Sequence, residues 1–366
     1  MRFWDLPGPR EFLNSLEVHL RDGRNVVVAF PENGRRDCGS ALEVLLDGSG
    51  WATHRMERAA YCDGPMQVAR HFLESRMEDG LPRTTRELGA CQEFNDGKVV
   101  IIPEVRVSEW HVWRSFICEY DVAIRALAPE SRTLFVVLVF GVAEQDLPRS
   151  DGALSVSCFR GVVDELDMLL YVGVRLRERG ETGRKRALLA AMIANLARWD
   201  AVTADVLLTV GERDLFSPDE ILRSIAVENN WSAATSPLWH LGIEENYLRR
   251  GEVHSAYLAV TERNEEIRMR LWAGHAATLL PIVALQTRKL LPQIRRYLRK
   301  PLVVNGETIH DLDVLEVGQL HYLLCRARAS ADVIRRVGKL KKVRNALAHL
   351  DALGPEDALD IELLEV

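Results

Sequence analysis

Three short apolar runs, rich in Val and Ile, constrain the fold of this chain more than any other sequence feature. They cover residues 26–30, 99–102 and 134–140. Continuous runs of this length are typical of strands that are buried on both faces of a parallel sheet. Helical patterns separate the runs, and they lie at residues 7–22, 39–46, 65–77 and 108–127. Weaker strand patterns lie at residues 51–56 and 153–159. This alternation predicts one parallel sheet with helices on its faces.

The pattern changes after about residue 160, where strand-like runs largely disappear. Leu, Ala and Val then recur every three or four residues, which is typical of helices. The predicted helices lie at residues 161–179, 182–210, 218–228, 241–250, 252–300 and 316–350. Pro281 and Pro292 should kink or split the fifth of these. The sequence thus predicts an α/β domain over residues 1–180, a helical lid or linker region over 181–250 and an α-helical domain over 251–366.

Composition limits the functional classes. The formal net charge is -6, which argues against a protein that binds nucleic acid over its whole surface, although a local basic patch stays open. The six cysteines form no Cys-x-x-Cys pair, so we predict no metal site. The chain has no signal-peptide pattern and no apolar run long enough for a membrane span. We therefore expect a cytoplasmic protein without membrane contact.

A glycine-containing segment follows the first predicted strand and opens the next predicted helix. It reads Gly34-Arg-Arg-Asp-Cys-Gly39-Ser40-Ala41. A nucleotide-binding P-loop has two glycines at this spacing, followed by Lys and then Ser or Thr, which hold phosphates and magnesium. Here Ser40 stands at the lysine position and Ala41 at that of the magnesium-binding hydroxyl. The acidic strand that such a site requires would be residues 99–102, with Pro103 before Glu104.

The layout of residues 1–210 resembles the P-loop core of AAA+ and STAND-type NTPases, in an inactivated form. In those proteins a helix separates the acidic strand from a further sensor strand, as residues 108–140 do here, and a helical lid follows. Two interpretations stay open. Either the loop binds ATP or another nucleotide without hydrolysing it, through Gly34, Arg35, Arg36, Gly39 and Ser40, or it only joins a strand to a helix. We favour the second and expect no cofactor.

A second motif lies near the C-terminus. Arg344, Asn345 and His349 match the Arg-polar-His signature of the HEPN superfamily, which residues 251–366 resemble. That resemblance implies a helical bundle and, in active members, a metal-independent ribonuclease that pairs as a dimer. Imidazole would act as an acid or base, and arginine would stabilise phosphate charge. The basic residues between Arg335 and Lys342 would then attract RNA.

The same segment has a purely structural interpretation. Apolar residues from Leu320 to Leu350 form a helical stripe of the kind that packs a core. His349 would end the helix, where a cation interacts favourably with the terminal carbonyls. Residues 344 and 349 are also about 140° apart around a helix of roughly 3.6 residues per turn. Under this interpretation the motif carries no chemistry.

The favoured functional prediction is a noncatalytic regulatory or scaffold subunit that binds one or more protein partners. Modules of this type occur in bacterial anti-phage defence complexes, so the resemblance implies that context. The first alternative is a HEPN-type ribonuclease effector that cleaves RNA. The second is a nucleotide-sensing switch without hydrolysis. Self-association into a homo-oligomer is compatible with each.

Overall fold

A computed structural model of the chain describes residues 2–74, 80–298, 301–304 and 307–360. The chain forms two compact units, and each unit combines two stretches of sequence. The first unit comprises Met1–Asp167 and Ala234–His254, and the second comprises Met168–Ala233 and Ser255–Val366. The proposed role of residues 181–250 as a lid stays a prediction.

The first unit is built around one parallel sheet. Its strands are β1 (Asn25–Phe30), β2 (Thr53–Arg55), β3 (Val99–Arg106), β4 (Leu134–Phe140) and β5 (Leu154–Cys158). Their order is β2-β3-β4-β1-β5, and every neighbouring pair is parallel. All residues of β1 and β4 are buried, as expected for strands covered on both faces. The predicted α/β class and the three central strands are confirmed.

Five helices accompany the sheet. They are α1 (Pro7–Arg21), α2 (Cys38–Gly48), α3 (Met66–Leu73), α4 (Thr85–Ala90) and α5 (Val107–Ile124). The sequence patterns predicted all of them except α4, which Thr84 caps by accepting a hydrogen bond from the Glu87 amide at 3.2 Å. The predicted end of α3 at residue 77 lies outside the described residues.

The predicted helix at residues 241–250 is wrong. This segment forms an antiparallel hairpin of β6 (Glu244–Tyr247) and β7 (Arg250–Val253). Leu248 and Arg249 connect the strands with φ angles of 51° and 63°, the left-handed pair that a two-residue hairpin turn requires. Because Ile243 and Tyr247 are four residues apart, their spacing also matches a helix face.

The second unit is mainly helical, as predicted. Its helices are α6 (Glu165–Glu178), whose first residues belong to the first unit, and α7 (Gly183–Ala197), α8 (Ala201–Thr209), α9 (Asp219–Glu228), α10 (Ser255–Val260), α11 (Asn264–Ile294), α12 (Val317–Arg326), α13 (Ala331–Ala348) and α14 (Pro355–Ala358). A small hairpin of β8 (Leu302–Val304) and β9 (Glu307–Ile309) completes it. Within the described ranges, no helix is long and apolar enough to cross a membrane.

Three of the predicted long helices are in fact pairs of helices. Arg198, Glu262 and Arg328 adopt φ angles of 56°, 57° and 50° at the three breaks, and a left-handed residue cannot continue an α-helix. The Asp200 carboxylate then caps α8 by accepting from the Val202 amide at 2.9 Å. By contrast, α11 is not split at Pro281 or Pro292.

Candidate functional site

The P-loop-like segment joins β1 to α2 at the carboxyl edge of the parallel sheet, where α/β proteins commonly bind ligands. The Gly34 amide donates to the Pro31 carbonyl at 2.9 Å. Gly39 is the second residue of α2. A Cβ atom at Gly39 would lie 3.1 Å from the Cβ atom of Pro103 on β3. The space beside the second glycine is therefore filled by the strand in which the acidic residue should lie.

Arg36 folds back onto the sheet. Its guanidinium lies 3.7 Å from the centroid of the Phe140 ring at the end of β4, and its Nη2 donates to the Glu32 carbonyl at 2.6 Å. Desolvation lowers the pKa of Arg36, and the nearby carboxylates of Glu104 and Glu32 partly offset this. Arg36, which would have to replace the phosphate-binding lysine of a P-loop, is therefore held by a backbone carbonyl and an aromatic ring of the protein itself.

Asp37 brings a negative charge to the start of α2. Its carboxylate accepts hydrogen bonds from Trp4 Nε1 at 2.8 Å and from Arg35 Nη2 at 2.9 Å. Desolvation raises the pKa of Asp37, but these two donors hold it below its usual value. Asp37 is the residue immediately before the first turn of α2. A helix N-terminus attracts anions, and here the Asp37 carboxylate lies beside it, although it accepts no hydrogen bond from the first amides of α2.

The residues at the other positions of a P-loop site, Ser40, Ala41 and Glu104, do not fit a magnesium-bound triphosphate. Ser40 is exposed and Ala41 has no hydroxyl. Glu104 accepts from Arg106 Nε at 3.2 Å, and its backbone carbonyl accepts from Arg58 Nη1 at 2.9 Å. Within the part of the chain that the structure describes, no group of three His, Cys, Asp or Glu residues could hold a metal ion.

A distant stretch of the first unit lies against this loop, and the sequence interpretation missed it. The Glu32 amide donates to the His240 carbonyl at 2.8 Å. Gly242 has a φ of 78°, and a Cβ atom there would lie only 1.8 Å from Asn33 Oδ1. The loop is thus in direct contact with residues 240–242, about two hundred positions away in sequence. Only the left-handed glycine permits this approach.

Buried Glu245 holds the same stretch in place. Its Oε1 accepts from the Gly161 amide at 2.9 Å, and its Oε2 accepts from Trp239 Nε1 at 3.2 Å. Burial raises the pKa of Glu245, and these hydrogen bonds partly offset that change. A buried carboxylate with several donors is expected to fix a local conformation, because losing a donor would leave it unsatisfied.

The second candidate site lies at the end of α13. Arg344 Nη1 donates to Asn345 Oδ1 at 3.4 Å, and Arg344 Nη2 forms an ion pair with Glu316 at 2.7 Å. His349 is the exposed residue that ends the helix, and its amide donates to the Asn345 carbonyl at 3.0 Å. Its ring forms no hydrogen bond with any described residue. Arg344 and Asn345 are thus in direct contact, but the ion pair with Glu316 offsets the charge of the arginine.

Arg344 lines an open groove whose walls are mainly apolar side chains of α11 and α12, among them Leu280, Val283 and Leu320. His349 is not among the residues that line this groove. The two residues of the signature therefore do not share one cleft. A phosphate held at Arg344 would first have to compete with Glu316.

The basic residues before Arg344 are also largely neutralised. Three of the five form ion pairs: Arg335 with Asp332 at 2.8 Å, Lys339 with Asp360 at 2.7 Å and Lys342 with Asp357 at 2.7 Å. Arg336 and Lys341 have no such partner among the described residues. RNA bound here would have to displace carboxylates of the same unit.

Two residues that the sequence interpretation did not assign to a site position the end of α13. Trp272 Nε1 donates to the Leu347 carbonyl at 2.8 Å, which satisfies one of the terminal carbonyls of the helix. His275 Nδ1 accepts from the Leu353 amide at 3.1 Å just beyond it. Both residues lie on α11, and no local sequence signal reveals such long-range contacts.

No protein-family model matches this sequence, and a search of curated proteins finds no similar one.

Proposed function

We propose that this chain is a noncatalytic regulatory or scaffold subunit of a bacterial complex, built on an inactivated P-loop NTPase-like domain and a HEPN-like helical region. An anti-phage defence complex is the context that the resemblance implies. The strand order supports the first resemblance, because β4 lies between the loop strand β1 and the acidic strand β3, where a sensor strand belongs.

One observation carries this proposal: side chains of the protein occupy the edge of the sheet where phosphates and magnesium would bind. Arg36 covers Phe140, Pro103 closes the space beside Gly39, and Asp37 brings a carboxylate to the start of α2. Phosphoryl transfer depends on positioned cations that stabilise charge in the transition state. A loop that is already neutralised by its own side chains suits a structural role better.

The first test measures nucleotide turnover and binding by the full chain. We expect no phosphate release from ATP or GTP with magnesium, and no calorimetric binding of either nucleotide at millimolar concentration. Magnesium-dependent release that Glu104→Gln abolishes would contradict the proposal. Binding without release would instead support the nucleotide-sensing switch.

The second test addresses the scaffold role. The tagged full chain is purified from its source organism after mild cross-linking, and each partner is identified, produced separately and mixed with the pure chain. We expect a stoichiometric complex that survives apyrase and EDTA, because assembly should need neither nucleotide nor magnesium. Failure of every identified partner to form such a complex would contradict the scaffold assignment.

The ribonuclease alternative is favoured by one observation: His349 is exposed one helical turn after Asn345, whose side chain accepts a hydrogen bond from Arg344. Its test incubates RNA and EDTA with the full chain, His349→Ala and Glu316→Gln. If the chain is a ribonuclease, His349→Ala should lower the cleavage rate roughly 10²–10⁴-fold, as for a lost acid or base. Glu316→Gln should raise it, because it frees Arg344. Under the scaffold proposal we expect no cleavage by any of the three.

A further inference from the structure

The turn between α6 and α7 is a strongly basic short segment of the second unit. Six of the thirteen residues from 174 to 186 are Arg or Lys and two are Glu, in a chain of net charge -6. Arg175, Arg177 and Arg179 precede the turn, and Arg184, Lys185 and Arg186 follow it. Such local clustering is the electrostatic footprint of a surface that binds a polyanion.

Half of these cations already have partners. Arg175 lies 3.5 Å from Glu178, Lys185 lies 3.3 Å from Glu181, and Arg179 donates to the Leu208 carbonyl. Among the described residues, Arg177, Arg184 and Arg186 form no ion pair. Arg184 Nη1 is buried without a hydrogen-bond acceptor, which is rare for a buried polar group. Three guanidinium groups therefore remain available around this turn.

The first turn of α7 places cations at the positive end of a helix, where a bound anion would be stabilising. It contains Arg184 and Arg186 but no acidic residue. The N-terminal end of a helix is partially positive, so unpaired cations at this end are unfavourable. A bound phosphate would relieve this repulsion.

We propose that the α6–α7 turn binds the phosphate backbone of a nucleic acid, chiefly through Arg177, Arg184 and Arg186. The composition favours this over an acidic protein. Within the fully described stretch from Tyr171 to Ala187 no large apolar side chain is exposed, and the nearest one before this stretch, Leu170, is 37% exposed, whereas protein interfaces have an apolar centre. Five of the six cations are arginine, whose planar fork matches phosphate oxygens. Such a contact recognises the phosphate charge and does not depend on the base sequence.

The test measures fluorescence anisotropy of labelled duplex DNA and single-stranded RNA with the full chain across salt concentrations. Each phosphate contact contributes about -0.9 to the slope of log K against log salt on a duplex, so three contacts predict about -2.7. We expect Arg177→Gln/Arg184→Gln/Arg186→Gln to weaken binding roughly hundredfold at 0.1 M salt and to remove most of the slope. Comparing DNA with RNA shows which backbone is preferred.

A matched control separates a local site from a general charge effect. Arg10 on α1, Arg114 on α5 and Arg268 on α11 are exposed and have no ion pair among the described residues, so Arg10→Gln/Arg114→Gln/Arg268→Gln changes the net charge equally. We expect it to bind as the unmodified chain does. Because Arg184 is partly buried, Arg177→Gln/Arg186→Gln is measured as well, and melting curves check that each variant folds.

Three results would overturn the proposal. These are absence of binding to both nucleic acids at low salt, an equal loss in the control variant, and polyglutamate binding as tight as that of either nucleic acid. The last result would identify an acidic protein as the partner. None of them bears on the scaffold proposal, which rests on the loop of the first unit.

Discussion

At the scale of single residues, His275 is a titratable group of the second unit that is held on several sides. It is fully buried, its ring stacks on Phe216 with centroids 5.4 Å apart, and its Nδ1 accepts from the Leu353 amide. Its Nε2 is buried without a partner. Burial lowers the pKa of His275 from 6.5 to about 4, so the ring is neutral at pH 7 and anchors the segment after α13.

This pKa shift predicts a loss of stability in acid. Because the folded state protonates His275 only near pH 4 and the unfolded state near 6.5, the unfolded state binds more protons between these values. His275 therefore contributes stability that is complete above about pH 6.5 and declines as the pH falls towards 4, by up to about 3 kcal/mol. Urea unfolding at pH 7 and pH 4.5 measures this.

The matched variant is His275→Asn, whose amide oxygen can still accept from Leu353 but does not titrate. We expect the variant to lose less stability than the unmodified chain between the two pH values. The difference between the two proteins isolates His275 from the carboxylates, several of which titrate in the same range. Equal losses would show that His275 is not the group responsible.

Gly242 carries a second residue-scale prediction, because it combines a left-handed backbone with a contact that excludes any side chain. Gly242→Ala should lower the free energy of unfolding by about 2–3 kcal/mol, through backbone strain and the clash with Asn33. Gly180→Ala is the control, since Gly180 has a φ of 87° but nothing within 4 Å of a Cβ atom. A loss at Gly242 no larger than that at Gly180 would argue against tight packing on the loop.

At the scale of elements, sequence patterns predicted the sheet well and the helix breaks poorly. The central strands were predictable because Val99–Arg106 and Leu134–Phe140 begin with runs of apolar residues that include several Val or Ile. The helix breaks were not predictable, because the residues with positive φ at these points are Arg198 and Arg328, and a glycine, the usual sequence signal for such a conformation, is absent there. Glycine spacing indicated the loop, but Arg36 on Phe140 and Gly242 on Asn33 are long-range contacts that no local pattern encodes.

Asp200 offers a test of why α7 and α8 are separate helices. Its carboxylate accepts from the Val202 amide and from Thr203 Oγ1 at 2.7 Å. Asp200→Ala should therefore cost about 1 kcal/mol of stability, as for other lost N-caps, whereas Asp200→Asn should cost less because it can still accept. Chemical denaturation of both variants measures the effect. Equal stability of Asp200→Ala and the unmodified chain would show that the cap contributes nothing.

At the scale of the whole molecule, each unit depends on two stretches that are distant in sequence. In the first unit, residues 234–254 supply His240, Gly242 and Glu245 to the loop and to the Gly161 amide. A cut at residue 180, the predicted domain boundary, would therefore leave Gly161 without the buried carboxylate that accepts its hydrogen bond. The buried side chains around it would also become exposed.

We therefore expect a fragment of residues 1–180 to be much less stable than residues 1–167 joined by a flexible Gly/Ser linker to 234–254. Uncovering buried apolar side chains costs about 1.5–3 kcal/mol each, and Trp239, Ile243 and Tyr247 are all buried in the second stretch. Urea titration followed by circular dichroism compares the two proteins. The linked protein carrying Glu245→Ala should fall between them, because it keeps the apolar contacts but loses the acceptor for Gly161 and Trp239. If the fragment of residues 1–180 unfolds at the same urea concentration as the linked protein, residues 234–254 are not needed to complete the α/β unit.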